Sequence, residues 1–85
     1  MMFVEPVSDV DHRYAKKNLA SYLKSRHLAM DSCHEWTRWT YGDVPFWSVW
    51  GRVYDVRRFI FHDCGVQVYD DGRVEIFDKT GELEL

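Results

Sequence analysis

An α+β fold, with one N-terminal amphipathic helix packed on a five- or six-stranded, mainly antiparallel sheet, is predicted by three observations. A Gly- and Pro-free stretch with apolar positions at helical spacing fills residues 9–28. From residue 33 onward apolar and polar residues alternate with a period of two. Asp70-Asp71-Gly72 sits between two such runs, and Asp-Gly in that context is a strong hairpin signal.

The elements follow in order. Residues 2–7 form a short apolar lead suited to a strand, which Pro6 either confines to an edge or ends. Ser8 reads as a helix N-cap with Asp11 three residues on, a variant of the capping box. Ala15, Leu19, Tyr22, Leu23 and Met30 form the apolar stripe, with Arg13, Lys16, Lys17 and Lys24 off it. Residues 33–41 then alternate as a strand, and Gly42-Asp43-Val44-Pro45 makes a turn. Residues 46–55 are apolar on both faces, which suits a central strand covered on both sides. Residues 58–62 give another strand, ending at a turn or bulge at Asp63-Cys64-Gly65. Residues 66–69 and 73–77 form the Asp-Gly hairpin, and Leu83 and Leu85 suggest a last short strand.

Eighty-five residues hold one domain. With 46% hydrophobic and 16% aromatic residues, the chain has enough apolar surface to fold. No internal repeat is visible, and no run of 18 apolar residues offers a spanning helix. The start of the chain is acidic and lacks the apolar run of a signal peptide, so a cytoplasmic location is expected, with Cys33 and Cys64 as reduced thiols. Leu19, Leu23, Trp50 and Ile60 are expected to be the core positions most sensitive to truncation.

Residues 36–54 carry all four tryptophans with Tyr41, Phe46 and Tyr54. Each such ring removes roughly 150–250 Å² from water, so the segment builds core, contact surface or both. Charge is uneven: residues 1–40 hold six Lys/Arg and five Asp/Glu, whereas residues 41–85 hold five and nine. Seven acids fall between Asp63 and Leu85 against Arg73 and Lys79. An acidic edge of this kind steers a protein toward a basic partner. Trp39, Trp47, Asp70, Asp71, Glu75 and Asp78 are therefore the expected partner-binding residues.

The opposite reading is a nucleic-acid contact. There Arg38, Arg52, Arg57 and Arg58 hold phosphates beside a tryptophan stacking platform, or the basic helix face does so. A net charge of −3 weighs against it, because such affinity comes mainly from phosphate neutralisation. Cys33, His62 and Cys64, with His34, carry atoms suited to zinc, but no C-x₂-C knuckle accompanies them. Buried thiols and ordinary histidines are the preferred reading. No HExxH, GxGxxG, P-loop or paired-carboxylate pattern is present, so neither catalytic residue nor cofactor is assigned and a non-enzymatic role is expected. The expected assembly is a monomer or homodimer, with a protein partner and no membrane contact.

In overall cast, the acidic hairpin segment VQVYDDGRVEIFD and the Trp-rich middle resemble the small phage-encoded inhibitor proteins of the anti-CRISPR type. That resemblance implies stoichiometric binding to a nucleic-acid-handling host complex, without turnover. It implies no shared fold, and it carries no site residues over.

Overall fold

The computed structural model describes residues 9–81. The expected lead strand at residues 2–7, the Ser8 cap and the closing strand at Leu83 and Leu85 lie outside the described residues. Among the described residues, helix α1 (Asp9–Ser25) is followed by strands β1 (Leu28–Cys33), β2 (Thr37–Trp39), β3 (Phe46–Asp55), β4 (Ile60–Tyr69) and β5 (Val74–Asp78). They form one helix on a five-stranded antiparallel sheet, an α+β arrangement. No helix among these residues is long and apolar enough to cross a membrane.

The helix buries Ala15, Leu19 and Leu23, spaced four apart so that they stack on one face. It stops three residues before the expected end. His27 adopts a left-handed backbone, φ 60°, and its N–H bonds the Lys24 carbonyl at 3.1 Å, which closes the last turn. Leu28, expected to end the helix, and Met30, expected in its apolar stripe, instead belong to β1, and both pack on the core.

The β order is β1-β3-β4-β5, with β2 also paired to β3. Sequence periodicity predicts one strand over residues 33–41, but the structure splits that stretch. β1 pairs with the C-terminal half of β3 and β2 with its N-terminal half, along the same edge. Between them Trp36 is drawn into the core, and that displacement interrupts the ladder. Gly51 makes the approach of β1 possible, since a Cβ there would meet the Ser32 carbonyl oxygen at 2.5 Å. A register shift between Met30 and Ser32 accommodates Asp31 as a bulge.

β4 also differs from expectation. Residues 58–62 and 66–69 are not two strands, because Asp63-Cys64-Gly65 stays in the pleat and continues β4 from Ile60 to Tyr69. The preceding turn is fixed by Asp55, whose carboxylate accepts the N–H groups of Arg57 and Arg58 at 3.0 and 3.1 Å. Phe59 there takes φ 59°, and its N–H bonds the Asp55 carbonyl at 2.8 Å. The hairpin at Asp70-Asp71-Gly72 forms as read, joining β4 to β5.

The helix covers one sheet face. Trp47, Val49 and Val53 from β3 meet Cys64, Val66 and Val68 from β4 there, with Leu28 and Trp36 closing the margin. Two positions expected in the core are not in it: Trp50 is 52% exposed and Ile60 45% exposed. Trp50 lies on the opposite face of β3 from Val49 and Gly51. Ile60 lies at the first residue of β4, beyond the buried cluster.

Candidate functional site

The second face of the sheet has no layer packed over it among the described residues. Strand register orders its side chains into rows. Ser48, Gln67 and Glu75 form one, Trp50, Gly65 and Phe77 the next, and Arg52 and Asp63 the third. Ser32 extends this third row through its pairing with Arg52, and Lys79 reaches it through a backbone bond to Asp63. Rows two residues apart along a strand are roughly 7 Å apart.

Trp50 and Phe77 are the centre of this face. Gly65, between them in register, has no side chain, and the Trp50 indole lies across it. A Cβ at Gly65 would come within 3.2 Å of Cζ2 and Cη2 of that ring. The sheet thereby supports the indole from below while leaving it 52% exposed, with Phe77 67% exposed beside it. A cleft of about 470 Å³ on one side is lined by Ser48, Gln67, Glu75 and both rings. A second, of about 780 Å³, is lined by Ser32, His34, Arg52, Asp63 and Lys79 with the same two rings.

Aromatic residues continue at both ends. Tyr54 and Phe61 pack with ring centroids 4.8 Å apart and planes tilted by 44°, and Phe61 is 51% exposed. At the other end Trp39, Tyr41, Phe46 and Tyr69 form a cluster that buries Phe46. Trp39 is fixed by its indole N–H donating to Ser48 Oγ at 2.6 Å. The Tyr69 hydroxyl donates to Gln67 at 2.9 Å and lies 3.4 Å from Glu75. Burial, followed by the Glu75 carboxylate, pushes the Tyr69 phenol above its ordinary value.

The residues expected to bind a partner are scattered by the fold. Trp47 is 3% exposed in the core, with the Arg38 guanidinium 5.3 Å from its ring, so its ring stabilises the fold and is closed to a partner. Asp70 is held by Arg38 in two hydrogen bonds of 2.7 and 2.6 Å. Asp71 is exposed and accepts the Arg73 N–H in the turn. Asp78 is drawn under the helix side, where its carboxylate lies 3.1 Å from His62 Nδ1. Trp39 and Glu75 alone of the six are on the uncovered face.

The arginines divide similarly. Arg38 is committed to Asp70, and Arg57 and Arg58 sit at the β3–β4 turn. Arg52 is on the open face, 3.7 Å from Asp63. Of the thiols, Cys33 is exposed and Cys64 buried, and both are free. Burial, with Asp78 and then Asp63 adding to it, pushes Cys64 up to about 11, so its thiol stays protonated at neutral pH and is sealed from solvent. No group of three or more metal-ligating side chains assembles among the described residues, and Cys33, His62 and Cys64 do not form one.

Sequence reasoning missed Trp50, Phe61 and Phe77 as surface residues. The available signal was Gly65, a glycine inside a strand run, which marks a close approach by a neighbour. Comparison with known proteins finds no matching family model, no matching curated protein and no matching solved structure.

Proposed function

We propose that this protein is a non-enzymatic binding module that engages a basic protein partner through the uncovered face of its sheet. The observation that carries the reading is the exposure of Trp50, Phe61 and Phe77 on that face. Large exposed aromatic rings gathered on one face of a small domain mark interaction sites, and Trp, Tyr and Arg dominate interface hot spots. The net charge of −3 and the Glu75 carboxylate beside Trp50 favour a basic partner over a phosphate backbone.

The acidic hairpin has a smaller part than its composition suggests. Asp70 and Asp78 are engaged within the protein, which leaves Asp71 and Glu75 as its outward acids among the described residues. In its finer form the proposal is stoichiometric inhibition of a nucleic-acid-handling complex, since proteins that grip phosphates present basic surfaces of this kind.

Affinity capture from lysate, with and without nuclease, tests the reading against Trp50→Ala and Phe77→Ser variants. A protein retained after nuclease and lost with either variant is the expected result. A catch that disappears with nuclease moves the assignment to nucleic acid on the Arg52–Lys79 row. Equal capture by wild type and both variants removes the sheet face from the account.

A further inference from the structure

We infer that the cleft bounded by Trp50, Phe77 and Glu75 is a subsite for an arginine side chain of the partner; this rests on the protein-binding reading above. Three features converge on a guanidinium. The first is the indole itself, laid across Gly65 and half exposed, which offers a supported aromatic surface rather than an edge in a crowded core. Arginine stacks on such rings more readily than lysine, because its cation is planar and more weakly hydrated.

The second feature is the charge. Glu75 lines the same cleft, and its carboxylate is loosely engaged, 3.9 Å from Arg73 and 3.4 Å from the Tyr69 hydroxyl. An incoming guanidinium can bind that carboxylate through two N–H groups at once, which the Arg73 contact at 3.9 Å does not do. The third is the remaining polar lining. Ser48 Oγ and Gln67 Oε1, in the row that Glu75 belongs to, accept one bond each from Trp39 and Tyr69 and keep a second lone pair for a guanidinium N–H.

Charge separates this cleft from its neighbour. The cleft on the far side of the two rings holds Arg52 and Lys79 against Asp63, a lining of net positive charge that repels a cation. An arginine approaching the face is therefore directed to the Glu75 side. A phosphate would be directed to the other. The aromatic pair in the middle serves either ligand, and the carboxylate decides which one this face accepts in the context of an acidic protein.

The test uses the intact protein and three short peptides, acetyl-Gly-X-Gly-amide with X as arginine, lysine or citrulline. Binding is read from the Trp50 indole N–H resonance, assigned with Trp50→Phe. Arginine is expected to shift it saturably, with citrulline, which keeps the shape and loses the charge, binding least. Glu75→Gln should weaken the arginine peptide by about twofold to fivefold, leaving the other indole resonances in place. Equal response to arginine and citrulline, or an unchanged affinity in Glu75→Gln, overturns the subsite. So does a Trp50 shift on titration with oligothymidylate and none with the arginine peptide. The lysate partner distinguishes the two levels: its retention by Glu75→Gln at wild-type yield but loss from Trp50→Ala rejects the arginine subsite and keeps the sheet face. Retention by both variants rejects both.

Discussion

Arg38 and Asp70 hold each other in a two-pronged ion pair across 32 residues of sequence, with N–O distances of 2.7 and 2.6 Å. The contact ties β2 to the β4–β5 turn, so a short edge strand is anchored by more than its three-residue ladder. The hydrogen bonds from Arg38 hold the Asp70 carboxyl below its ordinary value of 3.8, against the opposing pull of partial burial. A lowered folded value means that the bond stabilises the protein above the unfolded carboxyl's pKa and loses that contribution as pH falls through the folded one. The Asp70 side chain is 44% exposed, so solvent screening reduces the effect. A double-mutant cycle of Arg38→Ala and Asp70→Asn should give a coupling of about 1 kcal/mol or less at pH 7. In urea titrations the coupling should shrink as pH is lowered below the ordinary carboxyl value of 3.8.

The His62–Asp78 contact should behave differently, because both side chains are about 5% exposed. Asp78 also accepts the Thr80 N–H at 3.0 Å and its hydroxyl at 3.1 Å, so one carboxylate secures both the end of β5 and the following turn. Removing it leaves a buried imidazole without that partner. Asp78→Ala should cost about 3 kcal/mol in urea denaturation. Asp71→Ala, one exposed turn acid away in the same hairpin, should stay within about 1 kcal/mol.

The contrast between these two acids shows where sequence reading reached its limit. Asp70, Asp71, Glu75 and Asp78 look alike as a charged run, yet only register across β4 reveals that Asp78 meets Cys64 and the inner face while Glu75 meets Gln67 and the outer one. The helix was legible, because Ala15, Leu19 and Leu23 at spacing four leave one way to bury them. The β4–β5 hairpin was legible through alternation and the Asp-Gly turn, whereas the unbroken run of β4 through Asp63-Cys64-Gly65 was not. Which face of β3 the helix covers was not. Trp47, Val49 and Val53 alternate with Phe46, Trp50 and Tyr54, and hydrophobicity does not separate two apolar sets. Tertiary packing makes that choice, and it placed Trp50 outside and Trp47 inside. The break between β1 and β2 was hidden for the same reason, since the pull of the core on Trp36 is not a local signal.

Thiol chemistry should report the fold directly. Cys33 is exposed and Cys64 fully buried, with its pKa raised to about 11. At pH 8 an aromatic disulfide reagent should modify one thiol per native chain and two in 6 M guanidinium. Cys33→Ser should abolish the native reaction and leave the denatured one. Rapid native modification of Cys64 would show that the helix does not seal the inner face.

Trp47 and Trp50 give the sharpest separation of fold from function, because they lie three residues apart on opposite faces of one strand. Trp47→Ala empties a core position and should cost about 3–5 kcal/mol. Trp50→Ala removes a half-exposed ring and should cost about 1 kcal/mol or less, while abolishing capture of the partner. Gly65→Val supplies an independent check that leaves the indole in the protein. Its Cβ would stand 3.2 Å from the Trp50 ring, and the two added methyls would lift the ring off the sheet. Valine is otherwise favourable in a strand, so the variant should remain folded by circular dichroism. If it also binds the arginine peptide as the wild type does, the seating of the ring across Gly65 has no part in recognition. The expected result is a folded protein whose Trp50 resonance no longer responds to the peptide.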